Sequence, residues 1–147
     1  MKRMNVVKVE SCQEIEKVLQ SCRSDFFNQS LNNAEKIKEL SEKFSKFGRV
    51  LAAYDGETTA GFIAYYVNNE TKTAYISMII IQKAHQGQGI GSVLLDAMLA
   101  DSKNAAQQKV RLEVAKINEK AIGFYQKKGF VLEGQASETS DYYSLIL

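Results

Sequence analysis

Tyr75-Ile-Ser-Met-Ile-Ile-Ile-Gln-Lys-Ala-His-Gln-Gly-Gln-Gly-Ile-Gly-Ser-Val-Leu-Leu95 runs from an apolar strand through a glycine-rich turn into the start of a helix. Gly87, Gly89 and Gly91 remove Cβ atoms where the first, unpaired N–H groups of a helix point outward. An anion can then approach closely and meet the positive end of the helix dipole. A pyrophosphate-bearing ligand is the expectation.

Elements read outward from this turn in both directions. Upstream, Arg49 to Tyr54, Thr58 to Val67 and Lys72 to Ile81 are β-rich runs separated by Asp55-Gly56 and Asn68-Asn69, which predicts an antiparallel meander. Before it, Asn5 to Glu10 alternates as a strand. Ser11 with Glu14 reads as a capping box for a helix whose apolar face is Ile15, Val18, Leu19 and Cys22. A second helix is predicted from about Asn33 to Phe47, closed by Gly48.

Downstream, Ile90, Val93, Leu94, Ala97 and Met98 recur at helical spacing, and Val110 to Ala115 reads as a strand, giving a β-α-β crossover between parallel strands. Glu119 to Lys128 is a short helix capped by Gly129. Phe130 to Glu133 and Asp141 to Leu147 are the last strands, joined by a loop at Gly134 to Ser140. The fold class expected is α+β (mixed α/β), one domain over residues 1–147.

At 147 residues such a chain buries roughly two thirds of its unfolded surface without a metal or disulfide. Hydrophobic content of 45% with 24% charge is ordinary for a globular protein, and no apolar run nears the roughly 20 residues of a membrane span. Behind Met1-Lys-Arg-Met4 there is no long apolar stretch, so no signal peptide is expected. A formal charge of +2 gives no nucleic-acid footprint. Cys12 and Cys22 fall ten residues apart in one predicted helix, about 15 Å along its axis and too far to bridge. Free thiols fit a reducing, cytoplasmic setting, and no metal site is expected.

Spacing separates three glycine-rich motifs. A Walker loop needs Gly-Lys-Ser/Thr, whereas Gly91-Ser92 lacks the lysine. A dinucleotide fingerprint needs a glycine at Ser92 and a place in the first β-α turn of a doubly wound sheet; Glu113 alone imitates its ribose acid. Gln86-x-x-Gly89-x-Gly91 resembles the Arg/Gln-x-x-Gly-x-Gly/Ala acyl-CoA signature of the GNAT superfamily of N-acyltransferases. The resemblance continues in order through Ile79-Ile80-Ile81, Leu112-Glu113-Val114, Asn118, Phe124-Tyr125 and Gly129-Phe130, covering about residues 49 to 147. Members often carry proline where this chain has Lys83, a difference in loop stiffness more than in chemistry.

That resemblance implies a single GNAT-like domain, with a mostly antiparallel twisted sheet of about seven strands and helices on both faces. It implies acetyl-CoA as co-substrate, with the backbone of Gln86, Gly87, Gln88, Gly89, Ile90, Gly91 and Ser92 on the pyrophosphate, and strand-edge groups of Ile79, Ile80 and Ile81 on the pantetheine arm. Asn118 would touch the cofactor, cap the short helix, or do both. Tyr125 is implied as the acid that protonates the leaving thiolate; otherwise it is a core aromatic with its hydroxyl at the rim.

Leu112-Glu113-Val114 followed by Asn118 is similar to the arrangement in ribosomal-protein alanine N-acetyltransferases, which implies Glu113 as general base. Burial beside the cleft would favour that, while an ordinary salt bridge with Arg111 or a lysine on a solvated face is the plain reading. His85 reads as a solvent or phosphate-edge contact, and Lys127 and Lys128 as a solvated helix end, or else, on the acyl-CoA resemblance, as a contact to the CoA 3′-phosphate. The acceptor implied is a primary amine of a small molecule or peptide, with residues 20 to 48 and 134 to 141 walling its pocket and Glu133, Glu138 and Asp141 available to attract it. A non-catalytic acyl-CoA-binding module is the rival reading. A homodimer is compatible with the sequence, which does not fix the oligomeric state.

Overall fold

A computed structural model describes residues 4–147. Met1 to Arg3, where the leader reading begins, lie outside the described residues. Strand β1 (Asn5–Val9) leads into helix α1 (Cys12–Cys22), whose first turn is closed by the Ser11 side chain accepting from the Glu14 N–H at 3.2 Å. Helix α2 (Ala34–Phe47) starts under Asn33, which accepts from the Lys36 N–H at 2.9 Å. Then come β2 (Arg49–Asp55), β3 (Thr58–Tyr66), β4 (Thr73–Ile81), α3 (Ile90–Asn104), β5 (Lys109–Ala115), α4 (Glu119–Lys127), β6 (Val131–Gln135) and β7 (Ser140–Ile146). Gly48 ends α2 in extended rather than left-handed backbone; a Cβ there would lie 3.1 Å from both the Tyr65 carbonyl and the Tyr66 ring, so close approach accounts for the glycine. The predicted loop at 134–140 shrinks to 136–139, because Gln135 still pairs with Asp141.

The seven strands form one sheet in the order β1-β2-β3-β4-β5-β7-β6. Every neighbouring pair is antiparallel except β4 and β5, the parallel pair made by the crossover through α3. That pair is short. It runs from Thr73 opposite Lys109 to Ile76 opposite Leu112 and then stops, although both strands continue.

The cause lies at Ser77. Across β3, Tyr65 faces Ile76 but Ala64 faces Met78, so Ser77 is an extra residue in β4, a β-bulge that bends its strand and increases its twist. The bulge also reverses side-chain parity. Ala74 and Ile76 belong to the core under α3, and after the bulge it is Ile79 and Ile81 that pack against this core while Ile80 joins the other. Unbroken alternation would have put Ile76 and Ile80 on one face. The ends of β4 and β5 diverge into a gap.

Two cores flank the sheet. Helices α1 and α2 cover β1 to β4 through Ile15, Val18, Leu19, Ile37 and Phe44 against Val50, Phe62 and Ile80. Helices α3 and α4 cover the opposite face through Ile90, Leu94, Leu95, Met98 and Tyr125 against Ile63, Ile76, Val110, Leu112 and Tyr143. The sheet is thus sandwiched where β3 and β4 cross the middle, and bare on one face over β5, β7 and β6. Asp101 on α3 accepts from Tyr65 Oη at 2.6 Å and Arg49 Nη1 at 2.9 Å, locking that helix to β2 and β3. Desolvation opposes the ionised carboxylate, but the Tyr65 and Arg49 hydrogen bonds outweigh it and hold Asp101 below its ordinary value. Both thiols are free; burial pushes Cys22 up to about 12, so it behaves as a small apolar residue.

Gly61 on β3, opposite Ile81, is the tightest contact with the gap's upper edge. An added Cβ would sit 2.6 Å from the Ile80 carbonyl oxygen and 2.7 Å from Ile81 Cδ1. Gly61→Ala is therefore expected to destabilise the fold by about 2 kcal/mol, because the backbone oxygen cannot step aside; urea unfolding followed by circular dichroism measures it.

Candidate active site

The gap opens onto a cleft of about 510 Å³ lined by Ile79, Ile80, Ile81, the turn 85–87, Gly89 to Ser92, Asn118, Ala121, Phe124 and Tyr125. Its floor and its phosphate end are built by different physics. The floor is strand: on one side β4 pairs with β3, so alternate peptide groups beyond Ile76 point the other way, into the gap. The Ile81 carbonyl is excepted, since Gln86 Nε2 donates to it at 3.0 Å.

The phosphate end is the start of α3. Gly87 and Gly89 adopt φ of 81° and 79°, left-handed backbone that turns the chain sharply into the helix. Gly91 has ordinary helical backbone and a Cβ there would lie 3.6 Å from the Phe124 ring, so glycine at this position leaves space rather than relieving strain. The N–H groups of Gly87, Gln88, Gly89, Ile90, Gly91 and Ser92 have no hydrogen-bond partner among the described residues, the first intrahelical bond being Val93 N–H to Gly89 at 3.1 Å. The Gln86 N–H, expected among these donors, is instead committed to the Lys83 carbonyl at 3.3 Å, closing a 3-10 turn over Lys83–His85. Gln86 braces the turn and the donors begin one residue later.

Tyr125 lies at the cleft's far end from α4, wedged edge-to-face between Phe124 (5.3 Å) and Phe130 (5.5 Å). Burial pushes its phenol well above the usual tyrosine value, so the proton is firmly held at neutral pH. Asn118 caps α4, accepting from the Ala121 N–H at 3.2 Å while also bordering the cleft.

Glu113 points to the sheet face opposite Leu112 and Val114, as its position on β5 requires. It is exposed rather than buried, because no helix among the described residues covers that face of β5, so its surroundings are not the low-dielectric ones that would favour a base. Nor does it pair with Arg111. That guanidinium stacks 3.8 Å from the Tyr142 ring centre with its Nε 2.8 Å from Glu133, an ion pair without in-line hydrogen-bond geometry. Glu113 is held instead by Ser140, whose hydroxyl donates to Oε2 at 2.6 Å. Of the acids read as attracting an amine, Glu133 is taken by Lys109 and Arg111, and Asp141 lies 3.8 Å from Lys116.

Two further expectations are corrected. The solvent reading of His85 fails, since it is buried with Nε2 3.5 Å from Asp55 on β2 and no hydrogen bond at Nδ1, while its place in the lining of the cleft beside Gln86 and Gly87 fits the phosphate-edge reading. Lys128 is not a free helix end, since its Nζ reaches α3 and bonds Ser92 Oγ and Asp96 Oδ1, the latter at 3.0 Å. No pattern in the chain singles out Asp25 and Phe27, which reach the cleft from the segment between α1 and α2, or Lys120. Asp25 is tied there by the Lys83 N–H at 3.2 Å, a contact between residues 58 apart that no local spacing reveals.

Known proteins share this fold. Residues 12–130 match the family model described as Acetyltransferase (GNAT) family. The chain is 42% identical over 60 residues to N-alpha-acetyltransferase 30 of Schizosaccharomyces pombe, covering 41% of this chain and 40% of that protein. It is 31% identical over 103 residues to N-alpha-acetyltransferase 60 of Drosophila melanogaster, covering 68% and 37%. It therefore spans well under half the length of these curated relatives. Among solved structures, the PaiA N-acetyltransferase of Thermoplasma acidophilum in complex with coenzyme A superposes with a TM-score of 0.81 at 17% identity over 99% of both chains. An acetyltransferase from Thermus thermophilus gives 0.79 at 19% over 100% of both. With a family model spanning most of its length and a fold shared end to end with such enzymes, the chain belongs to the GNAT acetyltransferase family.

Proposed function

We propose that this chain is an acetyl-CoA-dependent N-acetyltransferase acting on a primary amine, by direct attack with both substrates bound. The observation that carries this reading is the run of six unpartnered N–H groups at the start of α3, opening onto a cleft continued by the gap between β4 and β5. A helix start of this kind suits a pyrophosphate, and the gap's free peptide groups suit an amide-bearing arm. Gly87 to Ser92 would hold the former and Ile79 to Ile81 the latter.

The thioester would then lie between Tyr125 and the sheet face bearing Glu113. Glu113, directly or through a water, takes one proton of an attacking ammonium; the nitrogen bonds the acyl carbon; backbone N–H groups near Ile79 to Ile81 receive the developing oxyanion; the C–S bond breaks as Tyr125 gives its proton to sulfur; and the second proton lost by the nitrogen as the amide forms passes to water, from which Tyr125 is reprotonated. Among primary amines, peptide α-amino groups are favoured. The two curated relatives are N-alpha-acetyltransferases by name, and the bare face over β5 and β7 can admit a large acceptor.

Release of free thiol from acetyl-CoA with a panel of peptide and small-molecule amines tests the reaction. Thermal stabilisation by CoA with no turnover on any amine would instead identify a binding module. Tyr125→Phe is expected to lower kcat by roughly 10²-fold or more with CoA affinity nearly unchanged, the general-acid contribution. Because burial raises the Tyr125 phenol, the wild-type rate should show no alkaline fall from this group up to about pH 10, where an ordinary tyrosine ionises. Glu113→Gln should lower kcat/KM by roughly 10²-fold, the scale of a general base; an unaltered rate assigns the base elsewhere. Gly89→Ala, forced into left-handed backbone, should weaken CoA binding about tenfold or more, whereas Gly91→Ala, meeting only ordinary contacts, should stay within about threefold; paired calorimetric titrations decide.

A further inference from the structure

We propose that Lys128 is the side-chain cation of the phosphate cradle, recognising the pyrophosphate of the cofactor from α4 rather than from the loop. The inference rests on the acyl-CoA reading of the cleft. Every side chain in the cradle from Gln86 to Ser92 is neutral, so the turn itself offers a dianionic ligand only N–H dipoles and the partial charge of the helix end. One ammonium is bonded to that cradle. Lys128 Nζ bonds the hydroxyl of Ser92, the third residue of α3, whose own N–H is among the unpartnered donors.

The lysine is held in place before any ligand arrives. Its backbone N–H donates to the Tyr125 carbonyl at 3.0 Å, in the turn closed by Gly129 at φ 96°, and its side chain is only 22% exposed. Its second partner, Asp96, is 63% exposed, so that ion pair is weakly held and can give way to a phosphate. Asp96 therefore acts as a competitor for the ammonium. Because α4 and its cap carry both Tyr125 and Lys128, charge recognition and the proposed acid share one short element.

Titration calorimetry of CoA and of dephospho-CoA, which lacks the 3′-phosphate, against the full chain tests this. Lys128→Met should weaken both ligands equally, about tenfold, the scale of one charge-assisted contact, while raising KM for acetyl-CoA without lowering kcat. Its affinity should also depend less on salt. Asp96→Asn should tighten both by roughly two- to threefold, and that gain should vanish in the Lys128→Met background. Lys128→Arg should restore most of the loss, which a purely structural role in the α4 cap would not show.

Unchanged affinity in Lys128→Met, or a loss seen instead in Lys120→Met, overturns the assignment to Lys128. A loss confined to CoA overturns the assignment to the pyrophosphate. If wild-type protein binds neither ligand, the cofactor reading fails and this inference with it, a pattern distinct from the other two.

Discussion

The rest of the site depends on the early end of the β4–β5 ladder. A parallel pair normally satisfies both strands along their common length, yet here four residues pair on each side before Ser77 bulges and the strands part. Peptide groups in the middle of a sheet are thereby left without a strand partner, which a fold tolerates only where water or a ligand replaces the missing bonds. The bulge makes that opening and also rotates Ile79 and Ile81 onto the α3 side, so the same residue that parts the strands lines the gap with apolar side chains.

The cradle at the head of α3 depends in turn on that helix being fixed. Its buried stripe of Ile90, Leu94, Leu95 and Met98 packs on the sheet, and Asp101 near its far end is tied to β2 and β3 by Arg49 and Tyr65. Burying these apolar side chains stabilises by about 2 kcal/mol each and anchors the helix along its length, while the six N–H groups at its head face the open cleft. Stability is thus stored along the helix while its first turn remains open to bind.

Alternation, caps and turn residues made most of the fold legible. Ser11, Asn33 and Asn118 cap the helices they precede, and the meander and crossover fall where the apolar runs place them. The site was legible where backbone chemistry sets it, as at Gly87 and Gly89. It was less so for side chains whose role depends on what packs opposite. His85, beside the turn in sequence, is buried against Asp55; Lys128, at a helix end, reaches across to α3; and Glu113, which the sequence left between a shielded base and a solvated ion pair, stands in the open under the Ser140 hydroxyl.

The family resemblance, the order of elements and the helix start that can hold an anion are written in the chain alone, because each is set by residues within a few positions of one another. Where β4 leaves β5, which face of β5 stays bare, and which charges meet are settled only once the chain has folded. Those depend on register across strands and on helices arriving from distant parts of the chain. Ser77 shows the difference: in the chain it is one polar residue in an apolar strand, and only its unmatched place opposite Ala64 and Tyr65 makes it the hinge of the cleft.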